Sequence, residues 1–297
     1  MNVTVGTRGS KLAMWQARRV QTLLEKINIR AGICRINSLG DQYQVATVAD
    51  LGGSGVFTHA LDRALLNKEI DIAVHSFKDL PTRLTEGLVV ACVLERGPAH
   101  DVLVHRFEGG EILADTPITM ATGSPRRKAF WLNRFPKHNI VGIRGNVDTR
   151  LSKLMESEWY GMILAKAGLE RLGYTQLITT RLDWMIPAPA QGAIAVVSRK
   201  EDHNLITQLT RINHAETECC TRVERDFLAR IEGDCLAPIA ANASVIGKQV
   251  DLKAAVLDYD GCHKISIEMN APLNKSLSLG KRAASEANRR GAQHLIN

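Results

Sequence analysis

Residues 118–134 read ITMATGSPRRKAFWLNR, and they contain in order the parts of one strand-to-helix unit. Ile118–Ala121 is apolar and β-prone, which predicts a short strand. Ser124 is a typical helix N-cap and Pro125 suits the first helical position, so a helix is predicted from there to about Arg134. The start of such a helix offers free N–H groups and the positive end of the helix dipole, which bind oxyanions.

The same kind of junction recurs along the chain, each time with hydroxyl groups, basic side chains or both. The junctions are Thr7-Arg8-Gly9-Ser10, Ser76-Phe77-Lys78-Asp79, Thr122-Gly123-Ser124-Pro125-Arg126-Arg127, and Arg144-Gly145-Asn146-Val147-Asp148-Thr149-Arg150. Any one of them taken alone is best interpreted as an ordinary capped helix with solvated charges. Together they indicate a cleft for a polyanion with several carboxylates, because Arg pairs with carboxylates through two parallel hydrogen bonds.

The alternation of strands and helices predicts an α/β fold with two lobes around a cleft and a third, small α/β domain. In the first lobe, the pattern predicts the second strand at Cys34–Leu39 and a helix at Val56–Asn67. Domain 1 is expected to cover residues 1–96 plus 193–211, domain 2 residues 97–192, and domain 3 residues 212–297. The Pro187-Ala188-Pro189-Ala190 stretch is the predicted crossover back to the first lobe.

Composition excludes several classes of protein. The chain of 297 residues is 45% hydrophobic and 23% charged, and no apolar run approaches the roughly 20 residues that span a bilayer. The first residues lack the features of a signal peptide, which predicts a cytoplasmic protein with no membrane contact. The net charge of +7 is compatible with nucleic acid, but an aromatic content of 5% does not suggest a base-stacking surface. No long exposed apolar helix argues for assembly, so a monomer is expected.

The cysteines and one carboxylate need separate interpretation. Six cysteines without a C-x-x-C pair predict neither a disulfide framework nor a zinc site, and no metal is expected. Cys235, judged from the residues alone, is best interpreted as a buried structural thiol.

Asp79 follows Lys78 among the basic junctions. It is either a partner for Lys78 or a helix cap, or it is the carboxylate of a basic cleft that stabilises a developing cation or moves protons.

The order and spacing of these motifs resemble the porphobilinogen deaminase family over nearly the whole chain. The matching stretches are Thr7-Arg8-Gly9-Ser10-Lys11-Leu12-Ala13, Asp71-Ile72-Ala73-Val74-His75-Ser76-Phe77-Lys78-Asp79, Arg144-Gly145-Asn146-Val147, Arg150-Leu151-Ser152-Lys153-Leu154, Leu164-Ala165, Ala167-Gly168-Leu169, Arg171-Leu172-Gly173, Gln191-Gly192-Ala193, Glu232-Gly233-Asp234-Cys235 and Pro238-Ile239. Each motif is weak alone, and their combination is specific.

The resemblance implies two lobes like those of periplasmic binding proteins and a transferase that joins four porphobilinogen molecules into hydroxymethylbilane for haem biosynthesis, releasing four ammonia. It implies a dipyrromethane cofactor bound to Cys235 by a thioether, and a catalytic role for Asp79 beside the pyrrole N–H groups. The resemblance also assigns the binding residues. Cofactor contacts would come from Ser10, Lys78, Asp79, Thr122, Ser124, Arg126, Arg127 and Arg144, and substrate contacts from Arg8, Ser10, Arg144, Arg150, Arg171 and Gln191.

The chain departs from the family pattern mainly in a glycine-rich loop that is expected to act as a lid. The departures are Asp50 and Ser54 where lysines are usual, His59-Ala60 in place of a Lys-Glu pair, His100 for an arginine, Gly123 for a hydroxyl residue and Asp234 for a glycine. Two alternatives therefore stay open beside an active deaminase. One is a diverged paralogue that binds pyrrole carboxylates with little turnover, and the other is a polycarboxylate-binding protein.

Overall fold

The computed structural model describes residues 1–36, 58–105, 115–177, 179–231 and 237–296. The chain forms two compact units, residues 1–97 with 192–218 and residues 98–191 with 219–297. We call the first unit lobe 1. Within the second unit, residues 98–191 are lobe 2 and residues 219–297 the C-terminal domain. The three-domain boundaries given above stay a prediction.

The described strands and helices are numbered in chain order. The strands are β1 (Asn2–Thr7), β2 (Arg30–Arg35), β3 (Ile72–Ser76), β4 (Leu88–Val93), β5 (Asp101–His105), β6 (Thr119–Ala121), β7 (Asn139–Val141), β8 (Gly161–Ala165), β9 (Thr179–Arg181), β10 (Ile194–Arg199), β11 (Ile239–Ile246), β12 (Gln249–Leu257) and β13 (Lys264–Pro272). The α-helices are α1 (Lys11–Lys26), α2 (His59–Leu66), α3 (Pro125–Arg134), α4 (Val147–Met155), α5 (Lys166–Arg171), α6 (His203–Leu209), α7 (Ala215–Arg230), α8 (Leu279–Arg289) and α9 (Gln293–Ile296).

Lobe 1 is built on a five-stranded sheet in the order β2-β1-β3-β10-β4. β1 runs parallel to both β2 and β3, and β10 runs antiparallel to β3 and β4. Helix α1 buries Ala17, Val20 and Leu24, which lie at the three- and four-residue spacing of one helix face. These side chains pack with buried residues of β1 and β3 in one apolar core.

Lobe 2 repeats this arrangement with the strand order β7-β6-β8-β5-β9. β6 lies parallel to β7 and β8, and β5 is antiparallel to β8 and β9. The carboxyl ends of parallel strands meet at one edge of a sheet, which is where ligands bind in open α/β sheets. The two sheets confirm the predicted class of two α/β lobes.

The C-terminal domain contains a three-stranded antiparallel sheet, β11-β12-β13. One face carries α7 and α8, whose buried residues include Phe227 and Ala283. Ala240, Ala255 and Leu257 pack instead into a core cluster with Phe130 and Trp131 of lobe 2. The C-terminal domain is therefore joined to lobe 2 through a shared apolar core.

Most predicted elements are found, but some boundaries and several strands were wrong or missed. The second strand was predicted at Cys34–Leu39 and lies at Arg30–Arg35, because Ala31 and Ile33 pack on the lobe 1 core and pairing with β1 starts at Arg30; residues 37–39 lie outside the described part. The helix predicted at residues 56–67 occupies His59–Leu66 after Thr58, with residues 56 and 57 also outside. In the described part of the chain, no helix is long and apolar enough to span a membrane.

Candidate active site

The lobe 1 junctions place four predicted site residues at one edge of the sheet. β1 ends at Thr7 and Ser10 caps α1, with its Oγ accepting a hydrogen bond from the Ala13 N–H at 3.3 Å. β3 ends at Ser76, and a 3₁₀ turn over Phe77–Asp79 follows. Since β1 and β3 are adjacent and parallel, this edge carries the predicted site residues Arg8, Ser10, Lys78 and Asp79.

Asp79 is the exposed member of this group, whereas Arg8, Ser10 and Lys78 are half-buried. Its carboxylate makes no hydrogen bond or ion pair with any residue in the described part of the chain. The interpretation of Asp79 as a structural partner of Lys78 therefore lacks support here. A carboxylate in this position is available to a ligand.

Below this edge lies His75, a residue to which sequence reasoning assigned no role. His75 is buried on β3, and its Nε2 has no hydrogen-bond partner among the described residues. Burial, with a smaller contribution from the charge of Arg8, lowers its pKa to about 4. The imidazole is therefore neutral at physiological pH, and the edge keeps its positive charge on Arg8 and Lys78.

The lobe 2 junctions follow the same design. Ser124 caps α3, accepting from the Arg127 N–H at 3.4 Å, and its own N–H donates to Thr122 Oγ1 at 3.2 Å. Asn146 caps α4 by accepting from the Thr149 N–H at 3.0 Å. β6 and β7 are parallel neighbours, so the predicted binding residues Thr122, Ser124, Arg144 and Arg150 lie along one sheet edge.

In the junction after β7, a side-chain hydrogen bond to the main chain and a glycine fix the backbone conformation. Arg150 donates from Nε to the Gly145 carbonyl at 2.8 Å, and Gly145 has a φ of +109° that L-residues rarely adopt. A side chain at Gly145 would meet Thr149 at 2.8 Å. In the chain, Arg144 therefore precedes this turn and Arg150 lies in the first turn of the helix that follows it.

The structure places Arg126 and Arg127 differently from the other predicted cations. Both residues are buried, with 3% and 5% of their surface exposed, and both contact the fully buried Asp101. Arg126 Nη2 lies 2.6 Å from Asp101 Oδ2, and Arg127 Nη2 lies 2.8 Å from Oδ1. Burial alone would raise the pKa of Asp101, but the charges of Arg126 and Arg127, together with hydrogen bonds from Arg126 and Gln191, outweigh it and hold the pKa at about 2.

Gln191 belongs to the same buried cluster. Its Nε2 donates to the Ala99 carbonyl at 2.6 Å and to Asp101 Oδ1 at 3.0 Å. Arg171 is the last residue of α5. Burial lowers the pKa of Arg171 to about 10, against a smaller opposing effect of Glu170, and the group remains protonated at physiological pH.

One predicted site residue and three of the departures from the family pattern lie outside the described residues. Cys235 and Asp234 fall within 232–236, and Asp50 and Ser54 fall within 37–57. Of the six cysteines, the five in the described part form no disulfide, and of these Cys92 and Cys220 are buried and Cys262 is exposed.

Two known family models match the chain along most of its length. The family model described as "Porphobilinogen deaminase, dipyromethane cofactor binding domain" matches residues 3–207, and the one described as "Porphobilinogen deaminase, C-terminal domain" matches residues 217–289. The chain belongs to the porphobilinogen deaminase family. This membership confirms the family predicted from the motifs, its transferase class and its dipyrromethane cofactor.

Relatives in the porphobilinogen deaminase family match along almost the whole chain. A porphobilinogen deaminase of Desulforamulus reducens is 37% identical over 99% of this chain and 96% of its own length. A probable porphobilinogen deaminase of Methanocaldococcus jannaschii is 40% identical over 94% of this chain and 97% of its own. Among solved structures, the periplasmic VFT2 domain of Bordetella pertussis BvgS aligns with a TM-score of 0.42 and 12% identity, covering 71% of this chain and 86% of that one.

One departure from the porphobilinogen deaminase pattern has a structural reason. A Cβ at Gly123 would lie 2.5 Å from the main-chain oxygen of Ile143. The junction after β6 therefore runs close to the segment after β7, and the hydroxyl residue common in the family does not fit at Gly123 without a shift of the backbone.

Sequence reasoning missed Asp101 and His75. Asp101 opens β5, a strand that was not predicted, directly after Gly97-Pro98-Ala99-His100. A signal was present, since an acidic residue before the apolar run Val102-Leu103-Val104 is unusual in a buried strand and requires a cationic partner.

Proposed function

We propose that this protein is a porphobilinogen deaminase, which joins four porphobilinogen molecules stepwise into hydroxymethylbilane and releases four ammonia. The observation that carries the proposal is the match of both family domains to a chain whose lobe 1 edge exposes Asp79 beside Lys78 and Arg8. The proposal includes a monomer acting in the cytoplasm, which gel filtration and cell fractionation test.

Cys235 is the proposed attachment point of the dipyrromethane cofactor. When bound, this group supplies the pyrrole α-carbon that accepts the first substrate unit. Its acetate and propionate groups need hydrogen-bond donors and positive charge, and the described residues offer both. Arg126 and Arg127 face a single carboxylate, and the buried Nε of Arg126 has no partner among the described residues. The hydroxyl groups of Ser10, Thr122 and Ser124, with Lys78 and Arg144, complete the proposed cofactor contacts.

Asp79 is the proposed catalytic residue. Loss of ammonia would leave a cationic substrate pyrrole, whose methylene carbon would bond to the free α-carbon of the accepting ring, and the accepting ring would then release its α-proton. Both stages place positive charge near a pyrrole nitrogen. The exposed carboxylate of Asp79 can accept a hydrogen bond from that N–H, which stabilises the charge and helps the proton to leave.

The remaining basic residues are assigned to substrate carboxylates. Arg8, Ser10, Arg144 and Arg150 lie at the carboxyl edges of their sheets, where helix starts add their own N–H groups. Arg171 and Gln191 are the further proposed substrate contacts. Arginine suits this task because its planar donors match a carboxylate through two hydrogen bonds.

Mass spectrometry of the intact protein as purified tests the cofactor. We expect two pyrrole units on the parent protein and none on Cys235→Ser. Cys262→Ser is the matched control, because Cys262 is an exposed cysteine of the same domain that has no role in the proposal. Loss of the added mass in the control but not in Cys235→Ser would refute the attachment point.

The rate of ammonia release from porphobilinogen tests the assignment of Asp79 as the catalytic residue. Asp79→Asn should keep the cofactor while ammonia release from porphobilinogen falls about 100-fold or more, the usual effect of losing a positioned acid–base group. An Asp79→Asn variant as fast as the parent would contradict the role of Asp79. A parent that carries the cofactor but releases no ammonia would identify the chain as a diverged paralogue.

A further inference from the structure

The buried carboxylate of Asp101 is the centre of a hydrogen-bond cluster in lobe 2. Its Oδ2 accepts from Arg126 Nη2 at 2.6 Å. Its Oδ1 accepts from Arg127 Nε at 3.1 Å, from Arg127 Nη2 at 2.8 Å and from Gln191 Nε2 at 3.0 Å. One side chain thus fixes the positions of two guanidinium groups and one amide.

The position of Asp101 in the sheet explains how it reaches both arginines. β5 is antiparallel to β8, and its first residue, Asp101, pairs with Ala165, the last residue of β8. β8 is itself parallel to β6, so Asp101 lies at the edge where these strands end and α3 begins. Arg126 and Arg127 are the second and third residues of α3, directly after the cap.

Among the described residues, the charges of the cluster do not balance. Asp101 supplies one negative charge to two guanidinium groups. Arg126 Nη1 donates to the Ile186 carbonyl at 2.7 Å and Arg127 Nη1 to the Ile163 carbonyl at 2.9 Å, but these acceptors are neutral. Arg126 also keeps a buried Nε without a partner among the described residues. A cluster of this kind holds its arginines in place and retains positive charge for a further anion.

We propose that Asp101 is a positioning residue for ligand carboxylates, which it orients indirectly by holding Arg126 and Arg127 at the start of α3. Gln191 acts in the same cluster by fixing Oδ1 of Asp101. This inference rests on the proposed function, because the anion in question is a carboxylate of the dipyrromethane cofactor. It adds a residue that makes no contact of its own with the ligand.

Asp101→Asn is the most direct test. Asparagine has the same shape and keeps one oxygen for Arg127 and Gln191, but its amide group presents a donor to Arg126 Nη2. The full-length apoprotein is produced in cells that cannot make porphobilinogen and is then incubated with increasing porphobilinogen. Intact mass gives the concentration that loads half of the protein with two pyrrole units. We expect this concentration to rise at least about tenfold, the effect of losing one charge-assisted hydrogen bond.

Asp71→Asn is the matched control. Asp71 also pairs with a buried arginine, since Arg199 Nη2 lies 3.4 Å from its Oδ1, but it precedes β3 at the opposite end from Asp79. This variant should lose stability without any change in half-loading concentration. A rise equal to that of Asp101→Asn would reduce Asp101 to a structural role and overturn the inference.

A double-mutant cycle separates positioning from general destabilisation. Arg126→Met removes one of the groups through which Asp101 acts. In that background, Asp101→Asn should raise the half-loading concentration less than about threefold, because coupled residues are not additive. Full additivity would contradict the inference. If Asp101→Asn does not fold by circular dichroism, Asp101→Glu takes its place, because it keeps the charge but displaces both guanidinium groups, and the same two outcomes decide.

Measurements on the parent protein distinguish a failure of the proposed function from a failure of the role proposed for Asp101. If the parent neither loads pyrrole units nor releases ammonia, the proposed function is wrong. If the parent loads normally and Asp101→Asn loads equally well, the function stands and the role of Asp101 is wrong.

Discussion

Glu224 holds Ala190 in a conformation that alanine rarely adopts. The Ala190 N–H donates to Glu224 Oε2 at 2.7 Å, and Ala190 has a φ of +59°. The other carboxylate oxygen accepts from the Ala243 N–H at 2.6 Å. A single fully buried carboxylate on α7 therefore ties the end of the Pro187-Ala188-Pro189-Ala190 stretch to β11 of the C-terminal domain.

Glu224→Gln should destabilise the protein strongly. Glutamine keeps one acceptor oxygen, but its amide group faces a second N–H donor and leaves that donor without a partner. We expect the free energy of unfolding to fall by about 2–4 kcal/mol, measured by urea denaturation of the second unit's transition. Glu201 forms an exposed ion pair with Lys68, so Glu201→Gln should change the free energy of unfolding by less than about 1 kcal/mol. Equal losses in the two variants would refute the role of Glu224.

The hairpin between β12 and β13 docks on α3 through a glycine. Gly261 has a φ of +73°, and a Cβ there would lie 2.3 Å from the Ala129 oxygen and 2.7 Å from the Asn133 nitrogen. Asn133 also donates from Nδ2 to the Gly261 carbonyl at 2.8 Å. The helix that carries Arg126 and Arg127 is therefore in direct contact with the C-terminal domain.

Replacing this glycine tests the docking. Gly261→Ala should lower the free energy of unfolding by more than about 2 kcal/mol, because both the backbone conformation and the close approach oppose a side chain. Gly247→Ala is the matched control, since Gly247 has a φ of +61° in the β11–β12 hairpin and nothing within 4 Å of its Cβ position. Its cost should stay near 1–2 kcal/mol, the conformational cost alone. Urea unfolding compares the two, and identical costs would mean that the docking contributes nothing.

Local signals predicted the elements that carry the junctions. Ser124 and Pro125 mark the start of α3, and the structure has the cap hydrogen bond that they imply. Ser10 likewise caps α1 and makes the hydrogen bond expected of a cap residue. Caps and helical spacing depend on a few neighbouring residues, so they can be identified without knowing what the helix packs against.

Elements defined by distant partners could not be predicted in this way. β10 is fully buried and antiparallel between β3 and β4, which are more than 100 residues earlier in the chain. The role of Asp101 is likewise evident only from its contacts with Arg126 and Arg127. Sequence reasoning assigned those arginines to the ligand, but it had no means of placing between them an acidic residue from a strand that it did not recognise.

Gly123 offers a test of how closely the junction after β6 is packed. Gly123→Ser would introduce the type of residue common in the family, but its Cβ would lie 2.5 Å from the Ile143 oxygen. We expect a loss of about 1–3 kcal/mol in the free energy of unfolding, since the backbone must move to admit it. Gly142→Ser is the control, because nothing lies within 4 Å of a Cβ there, and it should change stability by no more than about 0.5 kcal/mol. A Gly123→Ser variant as stable as its control would contradict the close approach.

His75 predicts an acid-sensitive lobe 1. Its pKa is about 4 in the folded protein, against 6.5 in the unfolded chain, because burial and the charge of Arg8 disfavour the imidazolium. Between these pH values the unfolded state binds more protons, so the stability that His75 provides is complete above about pH 6.5 and is lost as the pH falls towards 4. The full loss of folding stability that His75 causes is on the order of 3 kcal/mol, and at least about half of this loss should already have occurred at pH 5.

The variant His75→Gln isolates this contribution, because glutamine is polar but does not titrate. Urea unfolding at pH 7.5 and at pH 5 should show a smaller difference for His75→Gln than for the parent, by about 1–2 kcal/mol. Because other groups titrate in both proteins alike, only the difference between the two proteins reports on His75. If the parent and the variant lose equal stability over this interval, the imidazole is not held neutral by its surroundings. In that case the positive charge at the lobe 1 edge would include His75 as well as Arg8 and Lys78.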